Sequence, residues 1–247
     1  MRYKIIIEYD GTHFIGWQRQ RSGTSVQSTI ELAILKFSGE KVAVCGAGRT
    51  DAGVHAMGQV AHFDLCKPYA TYIIQNAINH YIREYFISIL SVEEVDVTFH
   101  ARFSALQRGY LYKILNRPTS SPLMRNMAWH IPTLLNIKKM QEAALYLKGR
   151  HDFSSFRASK CQAKNTLRVI DEIELRKIPE DDIITLEIAA PAFLHNQVRI
   201  IVGTLIKIGL EKWDSNKINE LLLLKDRTKA GATAPAHGLY FLYAKYS

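Results

Sequence analysis

Residues 45–63, CGAGRTDAGVHAMGQVAHF, set the tightest limit on how this chain can fold. A short apolar run, Lys41 to Cys45, reads as a strand leading into GAGRTDAG, and Gly58 to Phe63 leaves in strand-like alternation. Between them stand Gly46, Gly48, Gly53 and Gly58, with Arg49, Thr50, Asp51 and His55 set among them. Glycine allows positive φ and close approach of backbone to a ligand, so this is a loop of demanding shape. An arginine two residues from an aspartate can hold that carboxylate ionised and aimed. An arbitrary Arg-x-Asp is more often a tight turn, with an Asx-type bond from the aspartate and a solvated arginine.

Charge narrows the partner. The 247 residues carry 32 Lys+Arg against 23 Asp+Glu, a net charge of +9, which favours a polyanion. No acid falls between Asp96 and Glu142, where Arg102, Arg108, Lys113, Arg117, Arg125, Lys138 and Lys139 lie. A second acid-free window, Phe153 to Ile170, carries Arg157, Lys160, Lys164 and Arg168. Basic windows interleaved with aromatics suit phosphate contacts beside stacking platforms; a set of separate solvated faces is the alternative. Cys45, Cys66 and Cys161 are odd in number and far apart, which points to neither a disulfide framework nor a zinc site and fits a reducing compartment. With no signal segment and no apolar run of spanning length, the expected location is cytoplasmic, without a membrane partner.

Along the chain, Arg2–Tyr9 alternates as a half-buried strand, with Tyr3, Ile5, Ile7 and Tyr9 on one face, and Asp10-Gly11 turns it. Ser25 caps a helix from Val26 to Ser38, with Gly39 just past its end. Trp17 is expected in the core. Tyr69–Tyr81 reads as a helix with Ile73, Ile74, Ala77, Ile78 and Tyr81 inward, and Tyr85–Val95 as a strand. Gly109–Leu115 is a strand with Tyr110, Tyr112 and Ile114 on one face; RPTSSP (117–122) is a loop and a candidate linker or flap. A helix is expected over Asn136–Lys148, and strands over Leu167–Arg176 and Asp182–Ala190, with Pro179, Glu180 and Asp181 in the turn between them. In AFLHNQVRIIVGTLIKIG, Leu194, Val198, Ile201, Val202, Leu205 and Ile208 form a helical stripe, with His195 and Arg199 one turn apart beside it. A short helix (Ile218–Leu224), a loop around Ala230–Ala236 and a strand (Leu239–Tyr246) finish the chain.

GAGRTDAGVHA resembles the signature of the tRNA pseudouridine synthase A family, and further segments resemble it from residue 3 to about residue 242. These include EYDG, FIGWQRQ, FHARFSA with the Y-x-Y behind it, HDFSSFRAS, HNQVRIIVG and GLYF. The resemblance implies an α+β fold of two similar α/β domains, 1–104 and 105–247, whose mostly antiparallel sheets join, with helices packed on one side and the active-site cleft between them. It implies isomerisation of uridine to pseudouridine at positions 38, 39 and 40 in the anticodon arm of tRNA, by a homodimer, without cofactor or metal. Asp51 is then the nucleophile on a flipped-out uridine, Arg49 its active-site neighbour and Arg199 its ionic partner. Tyr110 packs on the target base, Leu239 contributes an apolar wall, and Arg19, Arg21 and His195 face RNA. The chain departs from the family where Asn79-His80 stands for Leu-Pro after Asn76, and where Gly109, not arginine, precedes Tyr110. Two other readings remain: a catalytically silent protein that binds structured RNA, and a metal-dependent hydrolase built on Asp10, Asp51, His55 and His62.

Overall fold

Alternation in the first residues produces strand β1 (Arg2–Tyr9), with Tyr3, Ile5, Ile7 and Tyr9 buried. The computed structural model describes residues 1–159, 161, 163–178 and 181–247, so Lys160 of the second basic window and Pro179 and Glu180 of the expected turn lie outside the described residues. The chain divides into two compact units, one of residues 1–106 with 240–247, the other of 107–239. Both mix helices with mostly antiparallel sheet. No helix among the described residues is long and apolar enough to cross a membrane.

In the first unit, helix α1 (Val26–Ser38) has the expected bounds because both ends are specified by side chains and backbone. Ser25 and Ser28 form a reciprocal capping box, and Gly39 closes the helix at φ +74 with its N–H on the Leu35 carbonyl. The expected strand over 41–45 shrinks to β2 (Cys45–Gly46), which pairs with β3 (His55–Asp64). Side chains of α1 capture the preceding backbone: Val44 N–H donates to Glu31 Oε1 (3.1 Å), and Gln27 Nε2 donates to the Val44 carbonyl (3.2 Å). Helix α2 (Thr71–Ile82) is rotated from the expectation, burying Ile74, Ile78 and Ile82 and leaving Ile73 and Tyr81 exposed. Strand β4 (Ile87–Val95) starts two residues late because Phe86 turns the chain at φ +53. Antiparallel pairing gives the order β4-β1-β3.

In the second unit, β5 (Gln107–Asn116) pairs in parallel with short β6 (Trp129–Ile131), and the RPTSSP loop lies inside this unit instead of linking the two. Helix α3 (Ile137–Leu145), capped by Asn136, is shorter than expected, though Met140, Ala144 and Leu147 are buried. Beyond it, β7 (Gly149–Asp152) and β8 (Leu167–Ile170) make a hairpin. The single strand expected over 167–176 is broken at Asp171, whose N–H leaves for the Ala189 carbonyl (2.9 Å). Past the break, β9 (Glu172–Ile178) pairs with β10 (Ile183–Ala190), which in turn pairs with β5. Helix α4 (Gln197–Gly209) is buried on most sides and followed by α5 (Lys217–Leu224). The chain ends in β11 (Leu239–Lys245), which lies parallel to β3 through Tyr240–His55 and Phe241–Ala56.

Candidate active site

In the first unit, Asp51 sits on a loop whose backbone is tied down almost residue by residue. Ala47 N–H donates to the Val60 carbonyl (2.7 Å), Trp17 N–H to Thr50 (3.0 Å) and Val54 N–H to Asp51 (3.2 Å). Asp51 also makes an isolated antiparallel bridge with Gly16. Gly16 stands at φ +110, and a Cβ there would meet the Thr50 carbonyl at 2.5 Å. Both its conformation and its closeness to the loop therefore demand glycine. Gly53, at φ +76, turns the chain out again. Alternation along the loop leaves Arg49 exposed, Thr50 buried and Asp51 half-buried.

Side chains beneath the loop complete that frame. Tyr9 Oη lies 2.8 Å from Thr50 Oγ1, and Gln59 Nε2 donates to the Gly48 carbonyl (3.0 Å). Burial pushes the Tyr9 phenol up to about 12, against the opposing hydrogen bonds of Thr50 and Gln59. Trp17 is buried as expected. Arg19 keeps an exposed head but is paired with Glu31 (3.1 Å), and Arg21 is exposed. Tyr9, Thr50 and Gln59 were not singled out from sequence; the inward phase of β1 was the only signal for Tyr9.

In the second unit, Tyr110 is half-buried on β5 opposite Ile188 and meets Phe193 edge-on, ring centroids 5.1 Å apart. Tyr112, two residues on, is fully buried and donates to the Pro235 carbonyl (2.8 Å), so the two tyrosines of one strand face have different surroundings. Arg199 is half-buried on α4, donating from Nε to the Ala234 carbonyl (2.8 Å) and from a terminal nitrogen to Asn196 Oδ1 (3.0 Å). Those contacts exist because the small-residue loop lies directly on α4: a Cβ on Gly203 would meet the Ala232 carbonyl at 1.8 Å. His195 is exposed and, against expectation, is not on the helix with Arg199. Asn196 adopts the left-handed conformation at φ +61 and starts α4 only at Gln197. Leu239 is buried at the start of β11.

The four residues of the hydrolase reading do not converge. His55 and His62 lie on the same strand, seven residues and about 23 Å apart at ~3.3 Å per residue. His55 Nδ1 instead stands 3.1 Å from both the Gly11 N–H and Asp10 Oδ1. Cys45, His62 and His100 do bring ligand atoms within 4.8 Å of one another. Their ring chemistry opposes a metal, however. His62 Nδ1 accepts from Ala101 N–H (3.1 Å), and His100 Nδ1 from Arg102 N–H (3.2 Å). Each neutral ring therefore carries its proton on Nε2, whereas a metal-bound histidine donates from the nitrogen away from the ion.

The model of the tRNA pseudouridine synthase family matches residues 5–104 and 143–247. The chain belongs to that family. It is 52% identical over 247 residues to the tRNA pseudouridine synthase A of Ehrlichia chaffeensis, covering 100% of both chains. Its identity to the Anaplasma phagocytophilum protein of the same name is 51% over 250 residues, again covering both chains fully. Among solved structures, a Cbf5-Nop10-Gar1 complex matches 97% of this chain and 48% of that one at 14% identity and a TM-score of 0.37, too slight a likeness to bear on the fold.

Proposed function

We propose that this member of the family isomerises uridine to pseudouridine at positions 38, 39 and 40 in the anticodon arm of tRNA, as a homodimer, with Asp51 as nucleophile. The observation that carries the reading is the Asp51 loop: a half-buried carboxylate beside an exposed arginine, on a backbone held by Trp17, Gly16 and Val54. A carboxylate is ionised at neutral pH, and covalent attack divides one difficult cleavage into easier steps. Asp51 bonds to the substrate, the N1–C1′ bond breaks, uracil turns in the pocket, C5 bonds to C1′, the bond to Asp51 breaks to return the free carboxylate, the C5 proton leaves and N1 regains a proton. No oxidant, reductant or phosphate donor enters. Extruding the uridine costs a few kcal/mol, which pocket contacts offset.

In this reading Tyr110, half-buried at the end of an aromatic pair, stacks on the extruded base with Leu239 as an apolar wall. Arg199 is the ionic partner of Asp51, Arg49 fills the space the base vacates, and Arg19, Arg21 and His195 contact tRNA. Incubation with unmodified tRNA, followed by base-specific chemical mapping, tests the proposal. Product is expected in the anticodon arm with the parent and none with Asp51→Ala, which still binds tRNA. Full activity in Asp51→Ala removes the nucleophile, and binding without product in the parent favours a silent RNA-binding protein.

A further inference from the structure

We propose that Tyr9, Thr50 and Gln59 form a positioning network for the Asp51 carboxylate, so that deleting the Tyr9 hydroxyl slows the chemical step without weakening tRNA binding. The proposal rests on Asp51 being the nucleophile. Thr50 precedes Asp51 and is fixed twice, its carbonyl by the Trp17 N–H and its hydroxyl by Tyr9 Oη. Gln59, fully buried on β3, fixes Gly48 through Nε2. Its Oε1 is buried and, among the described residues, has no partner within hydrogen-bond distance. A buried amide oxygen left in that state is costly.

The Tyr9–Thr50 hydroxyl pair and the Gln59–Gly48 bond hold the loop at two points, one on each side of Arg49. The two bonds join the residues on either side of Arg49 to strands β1 and β3. Thr50 is buried between exposed Arg49 and half-buried Asp51, so its hydroxyl sets the peptide from which Asp51 projects and does not itself meet RNA.

Single-turnover rates and tRNA dissociation constants, measured with melting curves, test the network in Tyr9→Phe, Thr50→Val, Thr50→Ser and Asp51→Ala. A displaced nucleophile costs rate steeply, so Tyr9→Phe and Thr50→Val are expected to be about 10- to 100-fold slower with tRNA affinity unchanged. Thr50→Ser keeps the hydroxyl and should recover most of the rate. The Tyr9→Phe/Thr50→Val double variant should be no slower than the slower single, because both cut one hydrogen bond. A parental rate in Tyr9→Phe, or a rate loss matched by lost affinity, overturns the network. Activity in Asp51→Ala overturns the nucleophile assignment instead. If Thr50→Val fails to fold, Tyr9→Phe, which removes only a hydroxyl, carries the test.

Discussion

His62 is held in a place that excludes its own proton. Burial, with His100 and Arg2 nearby, lowers it from 6.5 to about 4, and its Nδ1 must stay bare to accept the Ala101 N–H. The unfolded chain takes up the proton below about pH 6.5, whereas the folded one resists until about 4. This contribution to stability is therefore present above pH 6.5 and is lost as pH falls through that window. Thermal melts from pH 7 to 5 should show a steeper fall for the parent than for His62→Gln, whose amide oxygen can accept the same N–H; equal slopes would refute the link. The same residue separates what sequence can and cannot convey. The shape of the Asp51 loop was legible because its glycines and polar residues stand within a few positions of one another. Thr50 was not, because its hydroxyl partner is 41 residues away, and the tautomer of His62 depends on the Ala101 amide of a distant loop. Gly16→Ala combines a forbidden φ with a clash against the Thr50 carbonyl, and should cost about 1–3 kcal/mol in denaturant melts while abolishing product formation.

Elements were readable where their ends are marked locally. Helix α1 carries its cap and its terminal glycine within the segment, and β1 and β10 declare themselves by alternation. Segments failed where another element claims their backbone. Val44 is taken by α1, Asp171 by the Ala189 carbonyl, and the start of α4 is postponed by a left-handed Asn196. The substitution of Asn79 for the family's leucine has a local use: its amide both donates to the Ile89 carbonyl (3.0 Å) and accepts the Ile89 N–H (2.8 Å), clamping α2 to β4. Asn79→Ala should cost about 1–3 kcal/mol by urea unfolding, and a loss near zero would mean that water replaces both bonds. In the second unit, Gly203→Ala must push the Ala232 carbonyl off α4. The expected outcome is a loss of about 1–3 kcal/mol together with the Arg199–Ala234 contact, read as melting temperature and as product yield.

For the molecule as a whole, the +9 charge is the property that a polyanionic substrate meets first. Affinity for tRNA should fall steeply between 50 and 200 mM salt, about 10³-fold if some six phosphates are contacted, whereas a flat response would separate the basic windows from binding. The division of the chain has another effect, and it concerns time. Strand β11 belongs with β3, yet residues 107–239, which form the other unit, are synthesised between them. On the ribosome that intervening block can be complete while His55 still waits for the ring of Tyr240 and Ala56 for its neighbour Phe241. A chain cut short before Tyr240 therefore yields a protein whose Asp51 loop runs into a strand that lacks its parallel partner.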